Sequence, residues 1–211
     1  MSGIMLNVVG GTFGGLPAIG EAFGGGFFAG QIDQSGTIYN LVVGPVASAQ
    51  NASIAYKNAN TDTPYADSDI DGPQNTVDIV ADGNSTVYPA GHFCNDLVIG
   101  GFSDWYMPAK NELEVCYFNL KPTTQVNVTN SGINTNAVPS RGSNYTTGDP
   151  AQTSATDFQD TGAEDFTAGN YWSSTESTTS RAWRQGFNNG GQSAVLKYYT
   201  LRVRAVRRLP V

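Results

Sequence analysis

Apolar and polar positions along the chain predict strands near both ends. From Gly24, the run GGGFFAGQI, the turn-like DQSG and the run TIYNLVVG predict a β-hairpin. Later in the chain, YWSSTE, RAWRQGF and YTLRVRAVRR each have the pattern of a short strand, with a turn at NNGG. Abundant Gly, Asn, Thr and Ser nevertheless predict more irregular backbone than regular helix and strand, and a helical bundle is not expected.

Two helices are predicted between these groups of strands. The first runs from Pro89 to Leu97 and the second from Pro108 to Leu120. Proline suits the first turn of a helix, so Pro108 fits its position in the second one. Apolar side chains recur in the second helix at i, i+3, i+4 and i+7, which predicts a buried stripe. The stripe consists of Leu113, Cys116, Tyr117 and Leu120.

Three segments show no helical or strand period. Residues 1–17 combine apolar residues with glycine pairs, which predicts that residues 1–18 form an extended arm that docks onto a partner. A loosely ordered terminus is the alternative. Residues 47–84 are polar and are predicted to form long surface loops. Residues 123–169 form a long insert, predicted to be either a packed loop or a functional one.

Alternation along RAWRQGF divides its side chains between two faces of a strand. One set is predicted to face the core, and the other to face outward. The inward set is Trp183, Gln185 and Phe187, and the outward set is Arg184, Gly186 and Asn188.

The length and charge of the chain narrow the possible functions. Its 211 residues suit a single core, and only 14% of them are charged. The net charge is −7, but all 18 acidic residues precede position 181, whereas seven of the 11 Lys and Arg residues follow position 180. One interpretation is that these cations pair with acids elsewhere in the fold. The other is a basic strip that faces an acidic ligand.

The chain has no run of about 20 apolar residues and no signal-peptide pattern, so we expect synthesis in a cytoplasm and no membrane insertion. In that compartment Cys94 and Cys116 are predicted to be buried thiols, with a disulfide as the alternative. An isoelectric point near 4.5 disfavours binding to nucleic acid.

The chain shows none of the common catalytic patterns. The one histidine, His92, lies within a predicted helix, and one histidine with two distant cysteines cannot form a common zinc site. Glu112 and Glu114 are two residues apart on a helix and cannot face one site. The glycine-rich segments lack the Lys-Ser/Thr of a phosphate loop. We therefore expect no enzyme activity, no cofactor and no metal.

One segment superficially matches a calcium loop. Asp67–Asp78 has aspartates at its first, third, fifth and twelfth positions and glycine at the sixth. The twelfth residue is usually glutamate, the eighth is here Gln74, and no amphipathic helices are predicted on either side. A solvated turn is favoured, and a calcium-stabilised lectin remains as an alternative function.

Several motifs together resemble a known family. They are GFSDWYMPAKNELEVCY at 101–117, YWSSTE at 171–176, AWRQGF, GGQ and RVRAVRR, supported by IGEAFGGGFFAGQI and DGPQNT. The combination resembles the C-type-lectin-like domain of phage tail proteins, of retroelement variable proteins and of a bacterial collagen-like adhesin. The resemblance covers residues 19–208, and residues 19–211 are predicted to form this domain.

The resemblance implies an α+β, C-type-lectin-like fold with small antiparallel sheets, two helices and long loops. It assigns structural roles to a framework of residues: Trp105, Pro108, Glu112, Trp172, Ser173, Ser174, Trp183, Phe187, Arg204 and Arg207. In fold only, the family also resembles enzymes that generate formylglycine, but the chain lacks a suitable cysteine arrangement.

The candidate ligand contacts lie in the final strands and their turns, mostly at positions between the framework residues. Arg181, Arg184 and Tyr198 are predicted to supply charge-assisted hydrogen bonds and a stacking face. The remaining candidates are polar: Asn188, Asn189, Gln192 and Ser193. In the retroelement proteins, positions in these strands are hypervariable.

From these observations we expect the chain to be a virion protein, namely a tail-tip or fibre-associated adhesin of a phage. Its N-terminal arm would dock onto other virion proteins, and its final strands would contact a host-surface glycan or protein. A homo-oligomer, with a trimer favoured, is expected. The alternative is a capsid or tail decoration protein that binds only other virion subunits.

Overall fold

In a computed structural model, which describes residues 15–211, the chain adopts a mixed α+β fold. The predicted docking arm therefore lies almost entirely outside the described residues. Ten strands form two sheets, one of which is a curled half-barrel. The described part of the chain also contains four α-helices and a short 3₁₀ turn at Thr156–Phe158.

The first sheet joins both ends of the described chain. Its strands lie in the order β1-β2-β3-β10, and β5 also pairs with β2. The predicted hairpin is confirmed as β2 and β3, and a bulge between Phe28 and Gly30 interrupts its register. The strands are β1 (Ala22–Phe23), β2 (Gly26–Gln34), β3 (Thr37–Val43), β5 (Ala137–Val138) and β10 (Val206–Pro210).

The second sheet contains the other predicted strands. Its order is β4-β9-β6-β7-β8, with β6 and β9 parallel and the other neighbours antiparallel. YTLRVRAVRR proves to be two strands rather than one, because the chain leaves this sheet after Arg204 and enters the first sheet at Val206. The strands are β4 (Gln50–Ala55), β6 (Asn170–Thr178), β7 (Arg181–Gly186), β8 (Gln192–Leu196) and β9 (Thr200–Arg204).

Four helices pack against these sheets. The two predicted helices are confirmed with shorter ends, since they cover Pro89–Asn95 and Lys110–Leu120. The predicted stripe of the latter is buried in the core. The helices are α1 (Val46–Ala49), α2 (Gly72–Asp82), α3 (Pro89–Asn95) and α4 (Lys110–Leu120).

The prediction of surface loops for residues 47–84 is wrong where β4 and α2 occur. α2 escaped detection because two residues of its buried face, Asn75 and Thr76, are polar. Asn75 Nδ2 donates to Ser68 O at 2.7 Å and to Ser174 Oγ at 3.1 Å. Hydrogen bonds thus allow these polar groups to be buried. Because polar residues occupy buried positions of α2, its apolar residues do not show a helical period.

The calcium-loop alternative is also contradicted, because the second half of Asp67–Asp78 is helical. Asp71 caps α2 by accepting from Gln74 N–H at 3.2 Å, and it also binds Arg208 at 3.2 Å. Asp69 pairs with Lys110 at 2.9 Å. These carboxylates are therefore used by protein donors. The described residues contain no group of three or more His, Cys, Asp or Glu side chains suited to a metal.

The core consists of two clusters on either side of the second sheet. One lies between α4 and the first sheet and includes Tyr171 and Phe187. The other lies beneath α2 and α3 and includes Trp105 and Trp172. Cys116 belongs to the first cluster and Cys94 to the second; each is buried and unpaired, and burial raises the pKa of both thiols.

Most of the framework expected from the resemblance is buried. Trp105, Trp172 and Phe187 are core residues, and Arg204 and Arg207 are buried with acidic partners. His92 has a structural role, as predicted, because its Nε2 lies 2.7 Å from Gly83 O. Trp183 is an exception, because it is only half-buried.

A buried carboxylate fixes the insert of residues 123–169 to α4. Glu114 accepts from Tyr145 Oη at 2.7 Å and from Asn134 Nδ2 at 2.6 Å, and it forms an ion pair with Arg141. Glu112 points elsewhere, accepting from Tyr106 Oη at 2.8 Å, so the two glutamates face different sites, as predicted. The insert is therefore a packed loop in the region that Glu114 anchors.

No helix within residues 15–211 is both long enough and apolar enough to span a bilayer.

Candidate binding surface

Four cations of the final strands are tied into the fold by acids from earlier in the chain. Lys197 pairs with Glu176 at 2.6 Å, and Arg204 pairs with Glu164 at 2.7 Å. Two further pairs have the same form: Arg207 with Asp104 at 2.8 Å and Arg208 with Asp71 at 3.2 Å. For these four residues the structural interpretation of the basic segment is confirmed.

Three other cations have no acidic partner within the described residues. They are Arg181, Arg184 and Arg202. Arg181 is exposed, and its Nη1 donates to Ala194 O at 3.2 Å. Arg184 is half-buried, its Nη1 donates to Asn170 Oδ1 at 2.6 Å, and burial lowers its pKa. Of these two predicted contacts, only Arg181 lies freely on the surface.

The predicted contact residues do not share one surface. Strand β7 pairs with β8 so that Arg184 lies opposite Ser193, and Gln185 lies opposite Gln192. Directly opposed residues point to the same face of a sheet, whereas adjacent residues point to opposite faces. Arg181 and Gln192 therefore lie on one face, and Arg184 and Ser193 lie on the other.

The alternation itself is confirmed, but the assignment of its core face is wrong at the start of β7. Ala182 is fully buried in the core, on the same face as Arg184. Trp183, predicted to face the core, is half-buried and lines a surface groove. The side chain above it is Lys110, whose ammonium lies 4.5 Å from the ring centroid. The apolar core therefore does not extend over this part of the strand.

The remaining predicted residues occupy turns next to these strands. Asn188 and Asn189 connect β7 to β8, and Asn189 O accepts from Val128 N at 2.9 Å. Thr123 Oγ1 donates to Asn188 O at 2.8 Å, so the insert fixes the same turn. Tyr198 follows β8, is 48% exposed and stacks edge-to-face with Tyr199 at 5.0 Å.

We define the C-terminal groove as the cleft between the N-terminus of α4, β7, β8 and the insert. Its aromatic wall is Trp183, and its apolar rim is Ile133, which is 53% exposed. Amide and hydroxyl groups occupy the rest of the lining. The complete lining is Lys110, Asn130, Ser131, Gly132, Ile133, Asn144, Trp183 and Gln192.

One hydrogen bond and one close packing contact hold the walls of the groove in place. Gln192 N–H donates to Ser131 Oγ at 3.1 Å, which joins β8 to the insert. Gly132 has φ +107°, and a side chain there would collide with the Tyr145 ring. Glycine is therefore required for the loop to pass close to Tyr145, and Tyr145 is itself fixed by Glu114.

The groove offers an aromatic face, one ammonium group and several neutral hydrogen-bonding groups. Such a lining suits noncovalent binding of a polar ligand that also presents an apolar surface. Sequence reasoning identified Gln192 but missed Lys110, Ile133, Asn144 and Trp183. The alternation of β7 placed Trp183 with Gln185 and opposite Arg184, but no local signal revealed which face the core covers.

Sequence comparison relates the chain to one protein family. A search of curated proteins finds no match. A family model, described as the Lcl C-terminal domain, matches residues 57–207, which include α2, α3, α4 and strands β5 to β9. This family takes its name from the C-terminal domain of the Legionella collagen-like adhesin Lcl. Because the match covers well over half of the length of this chain, the chain belongs to the Lcl C-terminal domain family.

Proposed function

We propose that the chain is a non-catalytic adhesive module that binds a surface glycan in the C-terminal groove. The observation that carries this proposal is Trp183, a large half-buried aromatic side chain that lines the groove beside the neutral polar groups of Asn130, Asn144 and Gln192. A sugar ring has an apolar face that stacks on indole and hydroxyl groups that pair with amides. The family's occurrence in an adhesin supports the same role.

The rigidity of the groove also supports recognition. Trp183 and Gln192 stand on paired strands, and the insert is anchored by the buried Glu114. A preformed site loses little conformational entropy when a ligand binds. Arg181 lies on the same face of β7 as Trp183 and is exposed, although it does not line the groove itself. It is available as a charge-assisted donor to a ligand that extends beyond the groove.

The larger setting that we propose is a phage tail tip or fibre. The domain would have a C-type-lectin-like fold, and its N-terminal segment would dock onto other virion proteins after synthesis in the host cytoplasm. The sequence resemblance to phage tail proteins supports this setting. A homotrimer would present three grooves and raise avidity without any new contact.

The groove is tested by comparing Trp183→Ala and Gln192→Ala with Tyr65→Ala, which removes an aromatic ring that is 83% exposed elsewhere. Labelled protein is applied to an array of bacterial surface polysaccharides and animal glycans. We expect at least a tenfold loss of signal for Trp183→Ala and unchanged signal for Tyr65→Ala, with circular dichroism confirming the fold of each.

Equal binding by Trp183→Ala and the unmodified protein would contradict the groove assignment. Binding to purified virion subunits but to no glycan would instead favour a decoration protein. Immunogold labelling of intact particles separates the two settings, because an adhesin is expected at the tail tip and a decoration protein along the shell or tube.

A further inference from the structure

The edge strands of the two sheets differ in how they are protected from pairing with another chain. An unprotected edge can accept a further strand, so proteins usually shorten, bend or charge their edge strands. Strands β1 and β5 have two residues each, β4 has an irregular register, and β10 contains two arginines and Pro210. In the described part of the chain, β8 is the edge strand that has none of these features.

Strand β8 is regular and neutral, and it directs backbone groups outward. Its sequence is QSAVL, and all five residues have register partners in β7. Gln192 N–H points away from β7, since it donates to Ser131 Oγ at 3.1 Å. Backbone groups of a strand repeat their direction every second residue, so the N–H groups of Ala194 and Leu196 also point outward. No acceptor within residues 15–211 reaches either group from the outer side.

A cation lies beside this open edge. Arg181 is exposed, and its Nη1 donates to Ala194 O at 3.2 Å. A carbonyl oxygen has two acceptor lone pairs, so Ala194 O can also accept from a strand that pairs with β8. Neither β7 nor β8 contains an acidic residue, and the edge is therefore locally basic although the chain has a net charge of −7. A carboxylate on an added strand would complement Arg181.

The alternation of side chains defines the pattern that an added strand needs. Arg181 and Leu196 are register partners, so the guanidinium lies on the face of Ala194 and Leu196. Ser193 and Val195 lie on the other face, where Val195 packs against the core cluster beneath α2 and α3. A segment with a carboxylate opposite Ala194 and an apolar residue on either side of it matches both faces.

We propose that β8 pairs with an extended, acidic segment of another polypeptide, which adds a strand to the second sheet. The backbone of the segment bonds to Ala194 and Leu196, its carboxylate pairs with Arg181, and its apolar side chains extend the core face past Val195. This interaction goes beyond the proposed glycan function, because none of these four residues lines the C-terminal groove.

Charge disfavours a second copy of the chain as the added strand. Each Arg181 binds the Ala194 carbonyl of its own β8. Pairing of β8 with the same strand of a second copy would therefore place two guanidinium groups close together on one face. Like charges at neighbouring positions of a sheet are destabilising, whereas an acidic segment brings the opposite charge.

Two short peptides test the proposal. They are STVEVTS and STVKVTS, acetylated and amidated at their ends, and they differ only in the charge of the central residue. Each is titrated into isotope-labelled protein, and backbone amide signals are followed by NMR after triple-resonance assignment. We expect STVEVTS to shift the amide signals of Ala194 and Leu196 saturably and to bind about fivefold more tightly than STVKVTS, because only STVEVTS offers Arg181 a carboxylate.

Variants locate the charge and the backbone contact. Arg181→Glu, at an exposed position, should reverse the preference so that STVKVTS binds more tightly. The matched control is Arg202→Glu, on β9 at the far side of β6 and β7, and it should leave the preference unchanged. Ala194→Pro removes the outward N–H and should abolish binding of both peptides. That N–H does not belong to the ladder with β7, so circular dichroism should show a retained fold.

Three results would overturn the proposal. They are unmoved Ala194 and Leu196 signals with STVEVTS, an unchanged peptide preference in Arg181→Glu, and undiminished binding by a folded Ala194→Pro. If neither peptide binds and the same two signals move when the protein alone is diluted, β8 pairs with a second copy and the acidic partner is excluded. Failure of the glycan array has no bearing on these results, since the open edge uses no lining residue of the C-terminal groove.

Discussion

The cations of the final strands fall into two sets that the sequence does not distinguish. Arg204 is fully buried and bonds to Gly44 O at 2.8 Å and Glu164 Oε2 at 2.7 Å. Arg181, on a strand of the same sheet, is exposed, and its one side-chain hydrogen bond within residues 15–211 goes to the backbone carbonyl of Ala194 at 3.2 Å. The first set maintains the fold, whereas in the second the exposed Arg181 leaves its charge available to a ligand.

The difference shows that clustered charge in a sequence is a poor guide to a binding surface. The acidic partners of Arg204, Arg207 and Arg208 lie 40, 103 and 137 residues earlier in the chain. Burial lowers the pKa of Arg204 to about 10, and Glu164 opposes that shift. A buried cation needs a charged or hydrogen-bonding partner, such as Glu164 for Arg204, whereas an exposed one needs none.

Arg204→Met should have the largest effect on stability. It leaves the Glu164 carboxylate without its guanidinium, and breaking a buried pair typically costs ~3–5 kcal/mol. Urea denaturation followed by circular dichroism measures the change. The matched control is Arg202→Met, on the same strand and without an acidic partner among the described residues, for which we expect a cost below about 1 kcal/mol. Similar losses in both variants would refute the division.

The pH dependence of stability tests the protonation of Glu112, the buried carboxyl group beside Arg208. Burial raises the pKa of Glu112 to about 7, although Arg208 and two hydrogen bonds oppose the shift. The folded protein therefore holds this proton more tightly than the unfolded chain. The contribution of Glu112 is fully present below about pH 4.5 and is lost as the pH rises through about 7.

Glu112→Gln cannot ionise and should remove that contribution. Between pH 5 and 8, the free energy of unfolding of the unmodified protein should fall relative to the variant by about 2 kcal/mol. Paired urea titrations at four pH values measure the difference, and they cancel the effect of Glu114, whose pKa burial also raises. A constant difference across the range would mean that Glu112 stays ionised.

Arg181→Gln should have the smallest effect on stability, within about 0.5 kcal/mol, because the side chain is exposed. Glycan binding should nevertheless weaken about threefold, since a charge-assisted hydrogen bond is replaced by a neutral one. Thermal denaturation and the glycan array measure the two effects. Arg184→Gln, at a half-buried position, should show the reverse order: a larger loss of stability and unchanged binding.

The sequence predicted those parts of the fold in which apolar side chains mark the buried face. The hairpin of β2 and β3 and the helix α4 were found in this way. Helix α2 was missed because Asn75 and Thr76 lie on its buried face, where hydrogen bonds to distant residues compensate for their polarity. Sequence periodicity cannot reveal such partners.

The candidate surface was predicted only in part, because it also depends on contacts between residues that are distant in the chain. Gln192 and Arg181 were identified, but Trp183 was assigned to the core because alternation placed it on the same face as Gln185 and Phe187. The side chain over its ring is Lys110, 73 residues earlier in the chain, and not an apolar core residue. The insert that completes the groove depends on Glu114, which nothing in the local sequence marks as buried.

The pairing of β3 with β10 also has a consequence for synthesis. Val43 and Val206 are register partners, separated by 206 − 43 = 163 residues. A ribosome that adds roughly 5–20 residues per second takes about 8–30 s to cover that distance. Throughout this interval the nascent hairpin has an open strand edge that includes Leu41, Val42 and Val43. Folding of the first sheet is therefore completed only after the second has been synthesised, and the open edge is a point at which chaperones or neighbouring chains can bind first.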